Sequence, residues 1–85
     1  GNKYSGFWKN NKMNGKGFRE FEDGSWYNGE YKDNELDGYG EYYWKSGKMA
    51  GYNFKGYWKQ SEAWNGNYYK YRKFKAKMVN GVLKK

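Results

Sequence analysis

The sequence predicts an all-β protein, a single-layer antiparallel sheet of consecutive β-hairpins, and three observations carry that expectation. Aromatic residues make up 25 % of the chain, 11 Tyr, 5 Trp and 5 Phe beside 13 Gly, while Leu, Ile and Val are almost missing. Rings and glycines without aliphatic side chains are a poor recipe for a helical bundle and suit strands joined by tight turns. The chain also repeats itself at an interval of 23 residues, with an Asn- or Asp-containing turn signal inside the repeat. Disorder is the competing reading of so polar a chain, but disordered segments are depleted in rings.

Tyr4-Ser-Gly6-Phe-Trp8 recurs as Tyr27-Asn-Gly29-Glu-Tyr31 and again as Phe54-Lys-Gly56-Tyr-Trp58. Seven residues beyond Trp8 and Tyr31 come Gly15-Lys-Gly17 and Gly38-Tyr-Gly40, and Gly24 and Gly47 follow at matching places. The third unit begins after a four-residue insertion near Lys48–Gly51. One domain, residues 1–85, thus divides into units at 4–24, 27–47 and 54–68 and a basic strand region over 69–85. Asn10-Asn11 and Asp33-Asn34 suit two-residue turns because Asn and Asp tolerate positive φ.

A turn at 10–11 pairs Trp8 with Met13, Gly6 with Gly15 and Tyr4 with Gly17. A turn at 33–34 pairs Tyr31 with Leu36, Gly29 with Gly38 and Tyr27 with Gly40. In the third unit a three-residue loop, Gln60-Ser61-Glu62, pairs Trp58 with Trp64, Gly56 with Gly66 and Phe54 with Tyr68. Constant parity across Gly24 requires an odd-length loop, such as Asp23-Gly24-Ser25. The facing glycines then form a floor without side chains on which a Tyr ring lies flat.

This register gathers Tyr4, Trp8, Met13, Phe21, Tyr27, Tyr31, Leu36, Tyr42, Trp44, Phe54, Trp58, Trp64 and Tyr68 on one face. The other face is mostly Ser, Asn, Lys and Glu, with Phe7, Phe18, Trp26, Tyr39, Tyr43 and Tyr57 as exceptions. Most rings of the first face are expected to be the core of a thin sheet. A lone layer leaves some of them uncovered, however, and uncovered rings mark binding sites. The candidates are Tyr4, Trp8, Tyr27, Tyr31, Trp44, Phe54, Trp58, Trp64 and Tyr68, with Trp58 and Trp64 foremost.

The pattern Tyr-x-Gly-x-Trp/Tyr, then Gly-x-Gly, then a Gly before the next Tyr, resembles the MORN repeat (membrane occupation and recognition nexus). Residues 4–47 carry two full units and residues 54–66 a looser third. The resemblance implies a curved one-layer sheet whose ring-bearing face forms a groove. It also implies an interaction or scaffolding role, with lipid or protein as the ligand. Only the scaffold positions Tyr4, Gly6, Trp8, Gly15, Gly17 and their equivalents transfer.

With no His and no Cys, the usual general base, thiol nucleophile and metal ligands are missing, and Ser5, Ser25, Ser46 and Ser61 have no His to activate them. The carboxylates at Glu20, Glu22, Asp23 and at Asp33, Glu35, Asp37 read as solvated hairpin edges, since Asp33-Asn-Glu-Leu-Asp lacks the spacing of a calcium loop. No phosphate-cradling GxxxxGK[ST] sequence occurs. A non-catalytic protein without cofactor is expected.

Charge is lopsided. Residues 1–42 hold six Lys/Arg and eight Asp/Glu, net −2, whereas residues 43–85 hold eleven Lys/Arg and only Glu62, net +10. Lys70, Arg72, Lys73, Lys75, Lys77, Lys84 and Lys85 form a basic cluster that keeps the protein soluble or anchors it to an anionic leaflet. If Tyr69–Val79 is one strand, Lys73, Lys75 and Lys77 share a side, and Lys70 and Arg72 share the other with Phe74 and Met78.

A protein partner or an anionic phospholipid surface is therefore the expected ligand. Nucleic acid ranks lower without an RNP, KH or zinc signature. A carbohydrate or cell-wall module, or the targeting segment of a larger enzyme, stand as alternatives. Gly1–Trp8 shows no signal peptide and no apolar run is long enough to cross a membrane, so a cytoplasmic location is expected, peripheral to a membrane or the cytoskeleton.

Overall fold

The computed structural model describes residues 3–84, which form one sheet of eight antiparallel strands in sequence order. The strands are β1 (Lys3–Lys9), β2 (Lys12–Glu20), β3 (Trp26–Lys32), β4 (Glu35–Tyr43), β5 (Tyr52–Lys59), β6 (Glu62–Lys70), β7 (Lys73–Val79) and β8 (Val82–Lys84). Two-residue turns with both residues at positive φ close four hairpins, at Asn10-Asn11, Asp33-Asn34, Gln60-Ser61 and Asn80-Gly81. That backbone twist matches the twist of the flanking strands. A fifth such turn, Tyr71-Arg72, joins the third hairpin to the fourth.

From the second hairpin on, each hairpin turn is tied to the hairpin before it. The Met13 N–H donates to Asn34 Oδ1 at 2.8 Å, and the Asn34 N–H donates to the Met13 carbonyl at 3.0 Å. Leu36 and Ser61 repeat the exchange: the Leu36 N–H donates to Ser61 Oγ at 3.1 Å and the Ser61 N–H to the Leu36 carbonyl at 2.8 Å. Successive hairpins are thereby locked in step.

The ring face is the core. Tyr27 and Phe54 are fully buried, and Met13, Tyr31 and Trp58 pack with them. Tyr27 stands edge-on to Tyr31 of its own hairpin at 5.2 Å and to Trp58 of the next at 5.7 Å. Tyr4 does the same with Trp8 at 5.0 Å and Tyr31 at 5.3 Å. Edge-to-face pairs add to the burial of each ring, so the repeat couples neighbours through one shared contact.

The expected pairings hold at Trp8↔Met13, Tyr31↔Leu36, Gly56↔Gly66 and Phe54↔Tyr68, and fail elsewhere. Gly6 faces Gly17 and not Gly15, Gly29 faces Gly40 and not Gly38, Tyr4 faces Arg19, and Tyr27 faces Tyr42. The cause is a bulge in each hairpin, where Gly15 and Gly38 take φ of +81° and +99° that only glycine adopts freely. The ring floor survives with different members: Tyr4 lies over Gly6 and Gly17, and Tyr27 over Gly29 and Gly40.

The third hairpin has a two-residue turn and a one-residue bulge, so Ala63, not Trp64, faces Trp58. The loop around Gly24 is odd as required but longer, with residues 21–25 between the paired Glu20 and Trp26. Residues 69–79 are not one strand, because the Tyr71-Arg72 turn splits them.

Candidate functional site

Most rings expected to bind are committed to the core. Tyr27, Tyr31, Phe54 and Trp58 are buried, Tyr4, Trp44 and Tyr68 are half-buried, and Trp8, 59 % exposed, lies in the edge strand β1. Trp64 leaves the set altogether. It sits in the bulge, with Gly81 close against its ring and Lys59 Nζ 4.9 Å from the ring centroid. Burial raises the phenols that remain, Tyr31 to about 12, and also lifts Tyr27, Tyr42 and Tyr68. Buried neutral phenols are packing groups.

The open part of this face lies at the C-terminal end. Across the β2–β3 and β4–β5 ladders, Tyr27 faces Arg19 and Phe54 faces Tyr42; at the same place across β6–β7, Ala76 faces Tyr68. A methyl group stands where each earlier hairpin sets a ring. The space it leaves is an apolar cavity of about 500 Å³ lined by Met49, Tyr52, Tyr68, Ala76, Met78, Leu83 and Lys75. Met49 comes from the insertion between the second and third hairpins, which folds back through the Tyr52 N–H to the Met49 carbonyl at 2.9 Å.

The sheet divides the basic cluster. Lys70 faces Tyr52 on one side and Lys73 on the other, and directly paired residues project from the same face, so both lysines join Lys75 on the ring face. Lys70 Nζ lies 5.2 Å from the Tyr52 ring centroid, at the edge of the cavity. Lys77 and Lys84 face each other on the opposite face, in line with Asn67, Lys55 and Glu41. Arg72 lines a shallow recess on that second side. Lys85 lies outside the described residues. The cavity escaped sequence reading, because only the pairing of Ala76 with Tyr68 shows that a ring is missing.

The MORN-repeat family model matches residues 4–26 and 27–49, two spans on the 23-residue period seen in the glycines and rings. The chain belongs to the MORN-repeat family. No curated protein matches it. MORN repeats are, in general, non-catalytic modules for interaction or membrane binding. Apart from Met49, the last matched residue, the lining of the apolar cavity and its lysines lie beyond the matched spans, where the MORN pattern loosens.

Proposed function

We propose that this MORN module attaches to an anionic membrane surface through the C-terminal end of its ring face. The observation that carries the reading is the cavity under Ala76, apolar within and lined by Lys75, with Lys70 at its edge beside Tyr52 and Lys73 paired with Lys70 on the same face. An acyl chain or apolar headgroup segment suits the cavity, while the lysines meet phosphate or carboxylate. Cations near an anionic leaflet contribute roughly 1 kcal/mol each, so three give weak attachment that the apolar contact reinforces. No helix among the described residues is long and apolar enough to cross a membrane. The location proposed is the cytoplasmic side, peripheral to the bilayer.

Co-sedimentation tests the reading, with phosphatidylcholine vesicles compared with equal parts phosphatidylcholine and phosphatidylserine. The protein should pellet with the anionic vesicles alone. Charge reversal at Lys70, Lys73 and Lys75 should abolish this, and Ala76→Phe, which restores the missing ring, should weaken it with the fold intact. A folded protein that stays in the supernatant with both vesicles refutes the proposal. A second reading, a protein partner with an acidic and apolar segment, is favoured by β8, which pairs on one side only among the described residues. The notion of a carbohydrate module, or of a targeting segment in a larger enzyme, has no comparable feature in its favour.

A further inference from the structure

The face opposite the ring core is not a plain solvated surface. From β4 onward it carries two ring pairs, Tyr39–Tyr57 at 5.2 Å and Tyr69–Phe74 at 6.2 Å. Tyr39, Tyr57 and Phe74 are each more than half exposed. Between the pairs runs a polar row across the strands, Glu41, Lys55, Asn67, Lys77 and Lys84. Lys55 Nζ is 5.8 Å from the Tyr69 ring centroid, so positive charge stands beside a stacking surface. Lys55, Tyr69, Arg72, Asn53 and Glu41 together line a recess of about 350 Å³. Glu41, the one acid there, accepts a hydrogen bond from Asn53 Nδ2 at 2.9 Å.

Exposed rings and cations on one uncovered sheet face make a platform for unpaired nucleotides, the rings for bases and the cations for the phosphodiester backbone. Bases stack on aromatic side chains whatever their sequence, and a basic groove tracks the backbone. A membrane suits this face less well, since its rings alternate with amides and charges and open onto no apolar cavity. A double helix suits it less well too, because its bases are already stacked on one another.

We infer that the second face of the C-terminal half binds single-stranded nucleic acid, with Tyr57, Tyr69 and Phe74 as stacking rings and Lys55, Arg72, Lys77 and Lys84 as phosphate contacts. This site shares no residue with the cavity under Ala76, so either can fail without the other.

Fluorescence anisotropy with a labelled single-stranded oligonucleotide of roughly a dozen residues tests it, against a duplex of the same sequence and a heparin fragment of matched charge. The single strand should bind at least about tenfold more tightly than either control. Its log K should fall with log salt at a slope of about −2 to −3, the value for up to four phosphate contacts. Phe74→Ala and Tyr57→Ala, at exposed positions, should each weaken binding about tenfold, while Phe74→Trp preserves it. Lys77→Gln should flatten the salt slope by about 0.7, and Lys32→Gln, an equal loss of charge at the distant end of β3, should leave it unchanged. Equal affinity for the three polyanions, or binding indifferent to both ring deletions in a folded protein, overturns the inference. Tighter binding of heparin assigns the face to an acidic glycan instead.

Discussion

Replacing Gly40 with Ala should be among the most damaging single-methyl additions to this chain. A Cβ at Gly40 would fall on the Tyr27 ring, and the facing Gly29 backbone closes the space on the other side. Tyr27 is fully buried, touches Tyr31 and Trp58 edge-on, and donates its hydroxyl to the Glu30 carbonyl at 2.9 Å. If the backbone yields, overpacking costs about 1–3 kcal/mol. If the ring is expelled, the loss of about 150–250 Å² of buried area sets an upper limit of about 4–6 kcal/mol. A destabilisation of about 3 kcal/mol is expected, a large share of the roughly 4–13 kcal/mol typical of a domain this size. Gly47→Ala is the control, since Gly47, unlike Gly40, has positive φ but has nothing within 4 Å, so only backbone strain of about 1 kcal/mol is added. Urea unfolding followed by tryptophan fluorescence measures both. The decisive comparison is a cycle with Tyr27→Ala: once the ring is gone, Gly40→Ala should lose about 2 kcal/mol of its effect. Additive costs, or equal costs at Gly40 and Gly47, would show that the glycine pair is not a bed for the ring.

Tyr31 is buried with its hydroxyl unpartnered, whereas Trp58 at the equivalent place donates Nε1–H to the Gly40 carbonyl at 3.1 Å. Tyr31→Phe should therefore raise stability, by up to about 1 kcal/mol in urea unfolding; a loss of that size would reveal a hidden partner. Alkaline pH should unfold the sheet. Burial lifts Tyr31 from 10.0 to about 12, so the neutral form is favoured in the folded state. Its stabilisation is complete below pH 10 and is lost as pH rises towards 12, because the unfolded chain ionises first. Circular dichroism and tyrosinate absorbance should move together in that window, and absorbance rising well before the fold is lost would contradict it. Arg72→Gly should add about 1 kcal/mol by relieving a non-glycine residue at φ +71°, read as a higher urea midpoint.

The sheet was legible because its rule is local. Tyr4, Tyr27 and Phe54 recur with glycine two residues on, and Asn or Asp marks the first two turns, so hairpins and the ring face follow from spacing alone. The register within each hairpin was not legible. A bulge changes which glycine faces which without changing composition, and Gly15 and Gly17 look alike until φ separates them. Tyr71-Arg72 was missed for a related reason. Neither residue favours positive φ, and the turn exists because hairpins on either side of it pair. The candidate site was partly legible: charge placed it in the C-terminal half, but not on which face each cation stands.

That division of the cations follows from the same failure of the repeat that opens the cavity. In the first two hairpins the ring-face positions are filled mainly by Tyr, Trp, Phe, Leu and Met, with Arg19 the cation among them, opposite both Tyr4 and Tyr27 and over the Phe21 ring. Where Ala76 stands opposite Tyr68, the ring face loses the group that would exclude Lys70, Lys73 and Lys75 from its border. A bulge at Lys75 then brings one of those lysines to the cavity itself, as Trp64 is turned out of the core by the bulge one hairpin earlier. Repeats build a scaffold by satisfying each neighbour in the same way. A binding site needs unsatisfied surface, and in this chain that surface appears where the series Tyr27, Phe54, Ala76 runs out of rings.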